Sequence, residues 1–162
     1  MHKILIISTG GTFNKYYDPI HGKLNIDKTS SSLKHIASKW LCEFEILNII
    51  GKDSLDMTNN DRLELLNSIH KSKQKRIIIV HGTDTMDTTA KYLADAKLKK
   101  SIVITGAMVP YAIDPTEATA NLSSAYGYLN AIDKEEVFIA MNGVIAPYDK
   151  IKKNRIEGRF TL

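Results

Sequence analysis

Two short stretches concentrate the side chains able to do covalent chemistry. Thr9-Gly10-Gly11-Thr12-Phe13 sets a hydroxyl directly after a pair of glycines, and His81-Gly82-Thr83-Asp84-Thr85-Met86 crowds two hydroxyls and a carboxylate behind a single glycine. A threonine hydroxyl is a poor nucleophile at neutral pH and needs an adjacent base to accept its proton. A lysine in a partly desolvated pocket can have its pKa lowered into that role. Glycine-rich turns offer backbone N–H groups to a developing oxyanion. These components suit acyl transfer through threonine, without naming a substrate. A plainer use is also open: Asp84 or Thr83 is a good N-cap for a following helix. His81, at the end of an apolar run, reads as a hydrogen-bonded structural residue more readily than as a base.

Other chemistries lack their signatures. There is no Gly-x-Ser-x-Gly elbow, no His-x-x-x-His and no Cys/His pairing. The first loop misses the third glycine of a dinucleotide fingerprint, and no Walker-type phosphate loop is present. Acidic and histidine residues do not cluster at ligand spacings, so no metal is expected. The single cysteine, Cys42, excludes an intramolecular disulfide and reads as a small core residue beside Trp40 and Leu41.

With 162 residues, 43% apolar and 25% charged, the chain has the size and composition of one ordinary globular domain. The net charge is +4, but the lysines are scattered or sit in short solvated runs such as Lys97-Leu98-Lys99-Lys100. No basic stripe with interleaved aromatics argues for nucleic acid. No run approaches the ~18 apolar residues of a membrane span, and Ile4-Leu5-Ile6-Ile7 is too short for a signal-peptide core. The expected compartment is the cytoplasm, with neither nucleic acid nor membrane as partner.

The elements that must position the two stretches follow from periodicity. Apolar, β-branched runs at Lys3 to Ser8, Phe44 to Ile50, Ile77 to Val80, Ser101 to Thr105 and Val137 to Met141 read as buried strands. Between them, helices are expected over about Leu33 to Leu41 (capped by Ser30-Ser31-Ser32), after Thr58 or Asn59 through Ile69, over Met86 to Ala96, and over Pro115 to Leu129. Alternating strands and helices specify an α/β fold, a three-layer parallel sheet with helices on both faces, Rossmann-like or flavodoxin-like. Ligands of such sheets bind outside the carboxyl ends of the strands. Thr12, Ser54, Thr83, Asp84, Thr105 and Ala107 all fall there, which makes the repetition a site. Asn14 to Asp27 has no clear period and reads as a lid or binding loop, or else as a hairpin on the domain edge. The tail from Asn142 to Leu162 is polar and basic, with no second apolar set.

Thr9-Gly10-Gly11-Thr12, His81-Gly82-Thr83-Asp84-Thr85-Met86 and Thr105-Gly106-Ala107-Met108-Val109-Pro110 together resemble the bacterial-type L-asparaginase/glutaminase family. Asp53-Ser54-Leu55-Asp56-Met57 and Met141-Asn142-Gly143 fit the same order. The resemblance implies an amidohydrolase acting on a small amino-acid amide, without cofactor or metal. It implies Thr12 as the acyl-forming nucleophile, with Thr83, Asp84 and Lys153 as a second catalytic group. Ser54 and Asp84 would hold the α-carboxylate and α-amino group, with Gly11, Leu55 and Gly82 lining the site. The carbonyl of Ala107 would face the side-chain amide, and a lid tyrosine, Tyr16 or Tyr17, would stand beside Thr12.

Three features depart from that pattern. Leu55 stands where many members carry a polar residue, often Gln, for the α-carboxylate. Tyr16 and Tyr17 follow Thr12 by only four and five residues. The sequence ends where full-length members begin a second domain, so residues 1–162 are expected to be one domain of the N-terminal type with the family's C-terminal domain absent. In those members a neighbouring subunit's second domain supplies an acidic residue. Assembly into a homodimer or homotetramer is implied. Three readings stand side by side: an asparagine or glutamine amidohydrolase, a catalytically weak amino-acid-binding or regulatory module, and an amidase for another amide with Leu55 as a pocket wall.

Overall fold

The computed structural model describes residues 3–40 and 44–162. The expectation for Cys42 and Leu41 lies outside those residues. Six strands form one sheet in the order β4-β1-β5-β6-β7-β8, comprising β1 (Leu5–Gly10), β4 (Glu45–Lys52), β5 (Arg76–Val80), β6 (Ser101–Thr105), β7 (Val137–Met141) and β8 (Val144–Pro147). The first five are mutually parallel, and β8 returns antiparallel along β7.

Strand alternation sends neighbouring side chains to opposite faces, so the apolar runs divide into two cores. On one face Leu5, Ile7, Ile77, Ile79, Ile102 and Ile104 pack with Leu65 and Ile69 of α2 (Asn59–Lys71) and Ala90 and Leu93 of α3 (Met86–Asp95). On the other, Ile4, Ile6, Ile78, Val80 and Val103 meet Leu33 and Ile36 of α1 (Ser31–Trp40) and Leu122, Ala125 and Leu129 of α4 (Pro115–Ala131). A sheet buried on both faces is the doubly wound α/β arrangement expected from the uninterrupted β-branched runs. Local signals fix the helix starts. Thr58 and Asp61 form a reciprocal capping box at α2, and the Asp114 carboxylate accepts from the amide of Thr116 at α4. At α1 the expected serine caps give way to Asp27, whose carboxylate accepts the amides of Thr29 and Ser31.

Two segments differ from expectation. Asn14 to Asp27 is mostly a hairpin, β2 (Lys15–Asp18) paired with β3 (Lys23–Ile26), so the open choice there resolves toward the hairpin. The tail is not merely a polar extension. Ala146, Ile151 and Phe160 are buried in the first core, and β9 (Lys152–Asn154) pairs with β10 (Arg159–Thr161). These apolar residues are too isolated in sequence to register as a period, and the tertiary fold gathers them.

Candidate active site

The order β4-β1-β5 reverses direction between β1 and β5: from β1 the chain runs outward to β4, and from β5 outward to β6 and β7. The loops leaving β1 and β5 diverge there, opening the crevice that such folds use for ligands. Two glycines close its floor. Gly11 has φ +76°, and a Cβ on it would lie 2.4 Å from the backbone nitrogen of Gly82. A Cβ on Gly82 would lie 2.6 Å from Ser54 Oγ. Only glycine permits both approaches. They draw together three strand ends carrying Thr12, Ser54 and Thr83.

The β9–β10 ribbon completes the site from 70 residues away in sequence. Lys153 Nζ donates to Thr83 Oγ1 and to Asp84 Oδ1, each at 2.9 Å. The side chains of Lys153 and Asp84 are 14% and 29% exposed, so the pair is shielded but reachable. The Lys153 hydrogen bond, followed by one from Arg155, holds the Asp84 carboxyl below its usual range, and Asp84 is ionised at neutral pH. Thr83 in turn donates its hydroxyl to Met108 Sδ at 3.3 Å. The capping alternative for this pair does not hold. The N-cap of α3 is Thr85, with no side-chain capping bond, while Asp84 and Thr83 are spent on the Lys153 cluster.

The other anticipated residues gather unevenly. Thr12 opens a 3₁₀ turn over Thr12–Asn14, and among the described residues its hydroxyl has no hydrogen-bond partner. Ser54 is buried, and its hydroxyl also lacks a partner, an orphan polar atom beside Gly82 and Thr83. Such an atom is costly unless something else satisfies it. Gly11, Gly82 and Ala107 are buried. Leu55 is 70% exposed, its backbone amide held by the Asp53 carboxylate. Lys15 Nζ lies 2.6 Å from that carboxylate and keeps its pKa low. Tyr16 and Tyr17 are exposed and adjacent on β2, so they point to opposite faces of the hairpin. Thr105 is turned away from chemistry, its hydroxyl donating to the carbonyl of Ala140.

Sequence reasoning missed several residues that build this site, although its reading of His81 as a hydrogen-bonded structural residue holds. Arg62, 5% exposed, donates from Nε to Thr89 Oγ1 at 3.0 Å and toward Met57 O and Thr85 Oγ1. Thr85 passes on to the carbonyl of Ser54. His81 is fully buried between Thr89 Oγ1 (2.8 Å to Nε2) and the carbonyl of Gly82 (2.7 Å to Nδ1). A carbonyl only accepts, so Nδ1 carries the proton and Nε2 accepts from Thr89. His81 is therefore neutral and structural, and burial pushes its pKa down to about 4. Glu117 on α4 accepts the amides of Met108 and Val109, and Asn121 donates to the carbonyl of Gly106, so α4 shapes the loop carrying Ala107. Arg155, two residues past Lys153, donates to Asp84 Oδ1 at 2.7 Å. Nothing in the sequence signals Arg155, which lies in the turn just past β9.

The sequence matches the family described as "Asparaginase, N-terminal" over residues 3–161. The chain belongs to the asparaginase family. Among curated relatives it is 30% identical over 157 residues to a probable periplasmic L-asparaginase of Haemophilus influenzae, a match covering 88% of this chain and 43% of that protein. It is 28% identical over 155 residues to L-asparaginase 2 of Escherichia coli, with the same coverage of 88% and 43%. In structure it resembles the probable cytoplasmic L-asparaginase of Campylobacter jejuni, with a TM-score of 0.82 and 25% identity over 99% of this chain and 53% of that one. The thermostable L-asparaginase of Thermococcus kodakarensis shares the fold at a TM-score of 0.84 and 22% identity, over 98% of this chain and 50% of that one. The asparaginase-family chain thus spans 43% of the length of each of these two curated relatives. Among the described residues no helix is long and apolar enough to cross a membrane, and no group of His, Cys, Asp or Glu is arranged to hold a metal ion.

Proposed function

We propose that this chain carries the amide-hydrolysing site of an asparaginase-type amidohydrolase, acting on L-asparagine, L-glutamine or a related small amide. The observation that carries the reading is Lys153 Nζ, 2.9 Å from both Thr83 Oγ1 and Asp84 Oδ1 at the switch point of the sheet. That arrangement gives a hydroxyl, a proton carrier and an ionised carboxylate in one chain of hydrogen bonds, as nucleophile activation requires.

In the proposed reaction the Thr12 hydroxyl attacks the amide carbon, its proton passes by way of Thr83, Lys153 and Asp84 to the departing nitrogen, and the C–N bond breaks so that ammonia leaves an acyl-enzyme. Thr83, Lys153 and Asp84 then relay the proton of the water that hydrolyses the ester. The free hydroxyl of Thr12 and the backbone contact of Gly11 with Gly82 support this division of labour. The unpartnered Ser54 hydroxyl supports a role in holding a substrate carboxylate. Ala107 would face the amide, and Tyr16 or Tyr17 would cover Thr12. No cofactor enters the scheme. The proposed setting is cytoplasmic and homo-oligomeric, a dimer or tetramer. The exposed apolar side chains of Tyr16, Tyr17, Leu24 and Leu55 support a covering partner.

The test is ammonia release from L-asparagine and L-glutamine, together with mass spectrometry of the trapped acyl-enzyme. Thr12→Ala is expected to abolish release with an unchanged melting temperature, and the acyl group is expected on the peptide containing Thr12. Full release by the variant, or the label on Thr83, overturns the assignment. Saturable aspartate binding without any release selects the binding-module alternative.

A further inference from the structure

Asn142-Gly143 joins β7 to β8 and takes no part in the proposed chemistry. Both residues have positive φ, 52° and 78°, as a two-residue type I′ hairpin turn demands. The backbone alone therefore accounts for the Asn-Gly pair, and two glycines would satisfy it equally. The side chain of Asn142 makes contacts that the turn does not need. Its Oδ1 accepts the amide of Phe160 at 3.0 Å. An amide N–H only donates, so Nδ2 is left to face Glu117 Oε1, a long contact at 3.5 Å. The main-chain amide of Asn142 donates to Asn121 Oδ1 at 2.9 Å.

Phe160 is the register partner of Lys153 in the β9–β10 ribbon. That ribbon has three residues in each strand, and a lone two-stranded hairpin is at best marginally stable. Ile151 and Phe160 seat it on the core, but apolar burial is non-directional and does not by itself fix where the strand lies. The bond from Asn142 supplies the direction, holding the main chain of β10 opposite Lys153. Facing residues of an antiparallel pair stand ~5 Å apart on one side, so a displacement of Phe160 is a displacement of Lys153. The mount behind Asn142 is a single helix face. Glu117 and Asn121 lie one turn apart on α4, and they also hold the loop carrying Ala107, through the amides of Met108 and Val109 and the carbonyl of Gly106.

We infer that Asn142 is a positioning residue: by holding β10 it sets Lys153 against Thr83 and Asp84, and through α4 it keeps that lysine in register with the loop bearing Ala107. Its effect on rate rests on the amide-hydrolysis reading, whereas its hold on the strand facing Lys153 does not. Asn142 reaches Lys153 only through Phe160, so its removal should slow the proton transfers and leave substrate affinity alone.

The experiment uses Asn142→Gly, which deletes the side chain and keeps the turn, since glycine takes positive φ freely. Wild type and variant are compared in three ways: thermal unfolding, acetylation of Lys153 by acetic anhydride read by mass spectrometry, and steady-state kinetics on L-asparagine and L-glutamine. The side chain of Lys153 is 14% exposed and that of Lys3, the internal reference, 63%. In the variant Lys153 is expected to acetylate about fivefold faster relative to Lys3, as a loosened ribbon allows. The melting temperature is expected to move by no more than about 3 °C. The kcat should fall about tenfold, within the range a misplaced catalytic group costs, with KM changed by less than about twofold. Unchanged labelling of Lys153 overturns the inference, and so does faster labelling with an unchanged kcat. A loss of kcat that tracks a large fall in melting temperature also overturns it, making Asn142 a stabiliser only. If wild type hydrolyses neither amide while labelling of Lys153 rises in the variant, the hydrolysis reading fails and the hold on Lys153 stands. If both proteins hydrolyse amide at one kcat, only the inference fails.

Discussion

Two polar networks hang on the same five residues, His81 to Thr85, and they do opposite things. Arg62, Thr89 and His81 form a sealed chain in which every member is buried. Lys153, Thr83 and Asp84 form a chain of similar length that is partly open to solvent. In the first, each donor has a fixed acceptor, and the proton on His81 Nδ1 is locked against the carbonyl of Gly82. Nothing there can change protonation state without breaking a bond. In the second, a hydroxyl touches a group that can exchange protons, and the ensemble borders the crevice holding Thr12. A titratable side chain near a strand end is thus not informative by type alone. Histidine is the commoner catalytic residue, yet in the proposed reaction the lysine takes the reactive position, while the histidine holds the frame. Burial with complete hydrogen bonding marks a support, and partial exposure with a movable proton marks a reagent.

The sharpest way to break this contrast is to remove one member from each network. Lys153→Met keeps the length of the stem and deletes the proton carrier. We expect amide hydrolysis to fall about 10³-fold, the scale of general acid–base catalysis, with little change in unfolding by urea. A variant that retains most of its activity would place the reagent elsewhere. Arg62→Met is expected to do the reverse. It leaves Thr89, Thr85 and the carbonyl of Met57 short of a donor in a buried setting. Stability should fall by about 3 kcal/mol in urea titration, while kcat at a temperature where the variant is folded changes by less than about tenfold. A large loss of kcat with no loss of stability would merge the two networks.

The sequence carried much of this, for identifiable reasons. The five parallel strands and four helices are legible because uninterrupted β-branched runs and amphipathic stripes are local signals. Their placement puts Thr12, Ser54, Thr83 and Asp84 at strand ends, which is topology rather than contact. What was not legible depends on contacts between distant residues. Phe160 and Ile151 join the core singly, so the tail that delivers Lys153 reads as polar. The hairpin carrying Tyr16 and Tyr17 has only four residues in each strand, too few for a clear period. Arg62 sits inside an amphipathic helix as one more charge, and nothing in its neighbours reveals that its partners are 23 and 27 residues away. Lys153 entered by resemblance to a family, whereas Arg155 had no such warrant and was found only in the geometry.

The smallest of the expected effects tests the sealed network by pH. His81 has a pKa pushed down to about 4 in the folded chain by burial, against 6.5 for the free side chain. The unfolded state therefore binds more protons between these values, and stability rises with pH across that window. The contribution is present in full above pH 6.5, declines as pH falls, and is gone below about 4. Between pH 7 and pH 5 the loss should be about 2 kcal/mol, at ~1.4 kcal/mol per pKa unit. The carboxylates whose pKa values are lowered by their partners, Asp53, Asp61 and Asp84, start from 3.8 and lose their contributions only as pH drops further. The window from 7 to 5 thus isolates the histidine. Urea titrations across it should slope in the wild type and flatten in His81→Gln, whatever that substitution costs in absolute stability. An equal slope in both proteins would mean that His81 is not the locked, neutral member of its network, and the distinction between frame and reagent would have to be drawn elsewhere.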